Sequence, residues 1–342
     1  MQGAEWPLGA GGLSRSAATA LAKSDPNLLE RSPKPRLAAS WLWETRVSEW
    51  LWVIFTVLAA GGQTLRNAMQ KELTTTLGTV GATHVRFLFG LPFGLLFLLM
   101  VLLATGEPIP TLSGSMLTWT IVAALAQICA TALLLAAMLE RSFVVTITLS
   151  KTEPVQVAVF GLAFLGDHLS LGLAVAIIIA TVGVVMMSWP RQNMAALSWH
   201  SAALGIASGA MFAIAAVGFR GGIVALGAEN FVVGASTTLA LGLVIQTLAL
   251  SCYLLLFERE NLIAIFRAWR PSMTAGFMGA FASQMWFLAF AVESAAKVRT
   301  LGLIEILFAQ AVSRQMFKQD IASREAIGIG LIILGVVVLL NT

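Results

Sequence analysis

Charge is scarce in this sequence. Asp, Glu, Lys and Arg make up 11% of 342 residues, while 58% are hydrophobic. A soluble domain devotes about a quarter of its residues to charge, so water is excluded as the solvent for most of this chain, and a bilayer takes its place. Cysteine is also rare: Cys129 and Cys252 both stand in apolar segments with no CxxC or CxxH spacing. This excludes a disulfide framework and a zinc site, and leaves both thiols to be read as small core hydrophobes. Walker A, HExxH and GxSxG patterns are missing, which removes ATP hydrolysis by this chain and the commonest signatures of an intramembrane hydrolase. The formal net charge of +4 is spread thinly, with several basic residues inside apolar runs, so no nucleic-acid partner is expected.

What remains is a succession of apolar segments. Crossing the hydrocarbon takes about 20 residues per helix, and the candidate spans fall near residues 50–69, 79–104, 115–139, 143–164, 169–188, 201–219, 230–256, 273–292, 295–316 and 322–340. The expected fold is an all-α membrane protein of about ten transmembrane helices. Residues 1–48, rich in Gly, Ser, Pro and mixed charge, read as a disordered tail or as sequence added by an early start codon, and they lack the apolar stretch of a secretory signal. The segment 189–199, with a Trp at each end, separates residues 49–190 from residues 191–342. At a shift of 152 residues, Glu153 falls on Glu305 and Gly183-Val184-Val185 on Gly335-Val336-Val337. This points to an internal duplication. With five helices in each half, the second enters the membrane from the opposite side, so the repeats are inverted.

Charges inside the spans are the candidate functional residues. Glu153 stands about ten residues into its helix, some 15 Å along it and near the bilayer midplane; Glu305 occupies the corresponding depth. A bare charge there costs roughly 2.5–3.5 kcal/mol, so each carboxylate is expected to face a cavity or a partner. Each is a candidate to bind a proton or a cationic group, or to be held by Lys151 or Arg86. Lys151 and Glu153 are about 200° apart on an ideal helix and should not face each other. Pro154 removes the amide that would bond the carbonyl of Ser150, so a helix break at this point could present that carbonyl beside Lys151 to an anionic or zwitterionic solute. Arg86, with His84, lies a turn or two into the second span, placed to bind a substrate carboxylate, to pair with Glu305 or to snorkel to a headgroup. Arg66, Arg220, Lys297 and Arg299 lie near helix ends and are expected to anchor at the interface. Asp167 and His168 read as solvated turn residues. Gly90/Gly94, Gly205/Gly209 and Gly218/Gly222 are packing pairs, and Trp52, Trp119 and Trp286 are expected to fill core or interface, with ligand stacking the lesser alternative.

Three passages carry a family resemblance. HVRFLFGLPFGLL from His84, SKTEPVQVAVFGLAFLGDHLSLGLAVAIIIATVGVVMM from Ser150 and AFAVESAAKVRTLGLIEILFAQAVS from Ala289 resemble the second helix, the fourth-to-fifth-helix passage and the eighth-to-ninth-helix passage of the EamA family of the drug/metabolite transporter superfamily. The likeness spans roughly residues 50–341. Two departures stand out: Gly166-Asp167 and Lys318-Gln319-Asp320 replace the family's usual Gly-Glu, and Lys151 puts a charge where an apolar or small residue is usual. The resemblance implies a secondary transporter, an exporter of a metabolite, amino acid or drug-like solute, embedded multi-pass in a bacterial inner membrane, with protons as a candidate coupling ion and no cofactor. Its partners would be the solute and membrane lipids, with a homodimer among the allowed assemblies. Both termini would be cytoplasmic, which Arg31, Lys34, Arg36 and Arg46 support; Arg259, Arg267, Arg270, Arg314, Lys318 and Arg324 would then fall on the far side, so charge does not fix orientation. The rival reading is a non-transporting membrane protein, either a lipid-modifying enzyme or an assembly partner.

Overall fold

The computed structural model describes residues 35–137, 149–188, 199–308 and 323–342, together with residue 311. By its contacts the chain divides into residues 1–50 and 51–342, and the second unit carries all that follows. The elements are α1 (Pro35–Leu88), α2 (Leu91–Thr105), α3 (Gly114–Ala137), α4 (Glu153–Phe160, followed by a π turn at Gly161–Leu165), α5 (Leu171–Ser188), α6 (Trp199–Leu226), α7 (Phe231–Phe257), α8 (Arg259–Arg267), α9 (Trp269–Val292), α10 (Ala295–Leu301, followed by a 3-10 turn at Gly302–Ile304) and α11 (Ser323–Leu339). Among the described residues there is no strand. This follows from the apolar sequence, because in lipid a helix satisfies its backbone groups within its own segment. Of the tail expected over residues 1–48, residues 1–34 lie outside the described residues, and from Pro35 the backbone is helical.

Local chemistry sets the helix ends. The side chains of Ser113, Ser170 and Asn230 accept the N–H groups of Met116, Leu173 and Val232 at 3.1, 3.1 and 2.9 Å, capping α3, α5 and α7. Gly78, at φ 66° and ψ −176°, interrupts α1; a side chain rarely adopts that conformation, and the chain changes direction there. Among the described residues, five helices are long and apolar enough to cross a bilayer: Thr76–Thr105, Gly114–Leu134, Ala202–Leu226, Phe231–Phe257 and Trp269–Val292. Glu153–Leu165 and Leu171–Met187 are apolar but shorter. The spans expected at 143–164 and 295–316 lie partly outside the described residues.

The packing is inside-out relative to a soluble protein. Leu103, Phe164, Leu171, Val224, Leu256 and Phe257 point outward, whereas much of the interior is Ala, Gly, Ser and Thr, the small residues that let membrane helices approach closely. Cys129 and Cys252 are exposed as well, contrary to the core positions expected for them. In an apolar solvent a thiol has no need to turn inward.

Helices at matching places in the two halves pack on each other: α2 on α7, α4 on α10 and α5 on α11. The α5–α11 contact is made by the matched glycines. A Cβ on Gly183 would meet the Gly328 carbonyl oxygen and the Ile332 nitrogen at 2.8 Å, and one on Gly335 would meet Ala180 at 2.7–3.0 Å. α3 packs along α6, with Gly218 against Trp119 and Ala123; α1 meets α9 where Gly62 faces Phe281 and Ala282. These contacts enclose the polar interior in which the charged residues meet.

Candidate functional site

The two acidic residues each sit beside an interruption in helical geometry. Ahead of Glu153 the chain turns at Lys151–Thr152, and Pro154, which has no N–H, falls in the first turn of α4. Thr152 closes the break: its hydroxyl donates to the Leu149 carbonyl at 2.7 Å and its carbonyl accepts from Val155 at 3.1 Å. Ser150 is buried, and its carbonyl points at α6, 3.0 Å from where a Cβ on Gly209 would stand. In the second half, the 3-10 turn at Gly302–Ile304 leads directly into Glu305. The indole of Trp286 lies 2.5 Å from a hypothetical Gly302 Cβ, so only glycine lets this turn and that ring share the space.

The carboxylates take different partners. Glu153 receives both arms of Arg299, Nε at 2.5 Å and Nη2 at 2.7 Å, the two-pronged arrangement that a planar guanidinium favours. Glu305 accepts from Gln63 at 2.6 Å and Lys151 at 3.4 Å on one oxygen, and from Asn67 at 2.9 Å on the other. Each pair crosses between the halves: Lys151 of the first holds Glu305 of the second, and Arg299 of the second holds Glu153 of the first. The Arg299 guanidinium also lies 4.7 Å above the Trp286 ring, and the indole N–H donates to Gln63 at 3.1 Å. A chain of contacts therefore joins Glu153, Arg299, Trp286, Gln63, Glu305 and Lys151.

Two further arginines lie beside this chain. Arg66 and Arg86 are each 5% exposed, and both stems pass over Gly279 of α9, 3.4 Å from where its Cβ would be. Arg66 donates to Asn67 at 2.7 Å, and Arg86 reaches the Thr131 hydroxyl at 3.4 Å. Among the described residues neither meets a carboxylate within salt-bridge distance. A cleft runs from Arg86, Gln127 and Ser283 to Trp286 and Arg299, and a second, sharing Trp286 and Arg299, continues to Lys151, Glu153 and Glu305. The clefts are narrow, with room for water and too little for a metabolite.

Residues 44–189 match the EamA-like transporter family. No curated protein matches the chain. Among solved structures, one described only as the crystal structure of a protein covers 85% of this chain and 95% of its own, with a TM-score of 0.61 at 13% identity. That likeness shows the fold alone. With its apolar helices the chain is an integral, multi-pass membrane protein, and its first half is similar to a family of transporters.

Several sequence expectations for the site need correction. Arg299 is not an interface anchor, since it points inward to Glu153; Lys297, two residues earlier, pairs with Glu293 at 3.5 Å near the start of the same helix. Arg66 is buried. Arg220 spans three elements, donating to the Phe290 and Glu293 carbonyls at the end of α9 and facing Asp167 at 3.9 Å. Asp167 is consequently folded in toward α6, while His168 is exposed. Arg86 neither pairs with Glu305 nor snorkels outward, and its neighbour His84 is fully buried with Nε2 3.0 Å from the Ser251 hydroxyl. Gln63, Asn67 and Trp286 join Glu305 and Arg299 in the interior, although none was assigned to the site from the sequence. Lys318–Asp320 lie outside the described residues.

Proposed function

We propose that this protein is a secondary transporter of ten helices in two inverted halves, which carries a small solute out across a bacterial inner membrane by alternating access. The observation that carries the reading is the reciprocal exchange of buried ion pairs between halves, around a cleft at the centre of the helices. Three further features support it: the packing of matching helices on each other, the family match, and the position of Glu305, about 15 Å along α10 and its continuation from Ala295. A lipid-modifying enzyme would instead need a lipid-open groove with clustered ligands or nucleophiles. Among the described residues there is no group of three His, Cys, Asp or Glu side chains able to hold a metal.

Glu305 is the coupling residue in this mechanism. A proton on its Oε2 atom removes the charge that holds Lys151 and turns an acceptor from Gln63 into a donor, which releases one of the two central ion pairs between halves. The Glu153–Arg299 pair, with two short bonds and a stacked indole, stays closed and acts as the pivot. Loss of the proton on the other side restores the Lys151 contact. Proteoliposomes and metabolite profiling test this together. Solutes inside and outside cells expressing the parent or Glu305→Gln protein at equal levels are compared, and solutes displaced by the parent alone are then loaded into proteoliposomes under a pH gradient. Movement that follows the gradient in the parent and stops in the variant is the expected result; no displaced solute at matched expression counts against a carrier.

A further inference from the structure

We infer that the transported solute is an organic anion, whose carboxylate or phosphate head is neutralised by Arg86 and Arg66. The inference rests on the carrier reading above and adds the substrate class. The argument begins with charge. Arg66, Arg86, Lys151 and Arg299 face two carboxylates, Glu153 and Glu305, and both carboxylates already have their cations at 2.5–3.4 Å. Among the described residues two positive charges are left over, and both belong to arginines, whose charge does not dissociate in proteins. Arg66, Arg86 and Arg299 lie within electrostatic range of one another; Glu305 offsets part of the repulsion at Arg66, and Arg86 is left facing the other two cations.

The hydrogen bonds point the same way. Buried donors without a partner remain on both side chains, at Arg66 Nε and Nη1 and at Arg86 Nε, although buried polar groups in folded proteins are nearly always satisfied. The one bond Arg86 makes, to Thr131, is long. Among the described residues, other charges do not fill the gap: Asp167 faces Arg220, and His84 turns away toward Ser251. Arg86 lines the cleft, where Gln127 and Ser283 add neutral polar atoms and Phe212, Phe219 and Phe287 add an apolar wall. An oxyanion with an aromatic or aliphatic body, admitted as the narrow cleft widens in the transport cycle, satisfies all three features: Arg86 makes the direct contact, Arg66 supplies the second charge, and the phenylalanines take the body. A neutral or cationic solute would leave both guanidiniums unpaired in a low-dielectric interior, where each is most costly.

Four aryl probes of one size separate charge from shape: benzoate, phenyl phosphate, benzamide and benzamidine. Binding to the full-length protein in detergent is followed by calorimetry and by thermal unfolding. Benzoate and phenyl phosphate are expected to bind and raise the unfolding temperature, and the neutral and cationic probes are expected to do neither. Arg86→Gln and Arg66→Gln should each weaken anion binding at least tenfold, and Arg86→Lys, which keeps the charge but not the planar fork, should recover part of it. Should the glutamine variants not fold, the charge preference of the parent protein and the Lys variant still decide the matter. Equal binding of benzamide, a preference for benzamidine, no binding of any probe, or undiminished anion binding in both Gln variants would each overturn the anion site. The carrier reading fails separately: phenyl phosphate that binds but is not moved into proteoliposomes sinks transport and leaves the anion site standing, whereas movement of a neutral or cationic solute does the reverse.

Discussion

The interior charges of this protein are paired so specifically that single substitutions have different expected effects. Glu305→Gln keeps the shape and one of the two bonds from Gln63 and Asn67, which now go to separate carboxylate oxygens, so the protein should stay folded while proton-driven movement of solute in proteoliposomes is lost. Arg299→Met leaves Glu153 buried and unpaired, which should cost about 3–5 kcal/mol; Arg299→Met with Glu153→Met should recover most of it, measured by unfolding in detergent. Lys151→Met removes only one of the three donors to Glu305, so its expected cost is smaller and its chief effect is on transport. Much of this site is legible in sequence because charge is conspicuous in an apolar run: Glu153, Glu305, Lys151 and Arg86 stand out for that reason. Arg299 does not, because it lies four residues into its helix, where a long side chain ordinarily reaches the headgroups. Gln63 and Asn67 are uncharged, but with Arg66 and Gln70 they make a polar stripe at helical spacing on an otherwise apolar helix, and that periodicity was the available signal.

Helix positions follow from hydropathy, whereas the pairing of helices depends on single atoms. Nothing in the run of Leu, Ile and Val through α5 and α11 says that the two touch; the repeated Gly-Val-Val is the trace of it, and its meaning appears only when Gly183 is seen against the backbone of Gly328 and Ile332. Because backbone cannot yield as a side chain can, Gly183→Val or Gly335→Val should destabilise the protein by about 1–3 kcal/mol or more. Gly330→Ala, one helix face away with nothing within 4 Å of its Cβ, should be neutral or slightly stabilising. Unfolding of the three variants side by side checks the contact. The break before α4 was readable from Pro154, but the way Thr152 seals it was not, since a hydroxyl's choice of acceptor depends on the turn that forms around it.

At the scale of the whole molecule, the ten spans proposed above would place both chain ends on one face of the membrane. Tags at the two ends of the chain, probed with protease in sealed vesicles, should be cut together or spared together; cleavage of one alone would mean an odd number of crossings. The exchange of counter-charges between halves also has a consequence in time. Lys151 and Glu153 leave the ribosome well before their partners, which lie 154 and 146 residues further along. At about 5–20 residues per second, the first half waits on the order of ten to thirty seconds in the membrane with its charges uncompensated. A nascent chain in that interval should be the protein's most fragile form. The second half therefore completes the first as a chaperone would, and slowing translation between residues 190 and 299 should lower the yield of protein without changing the stability of the molecules that are finished.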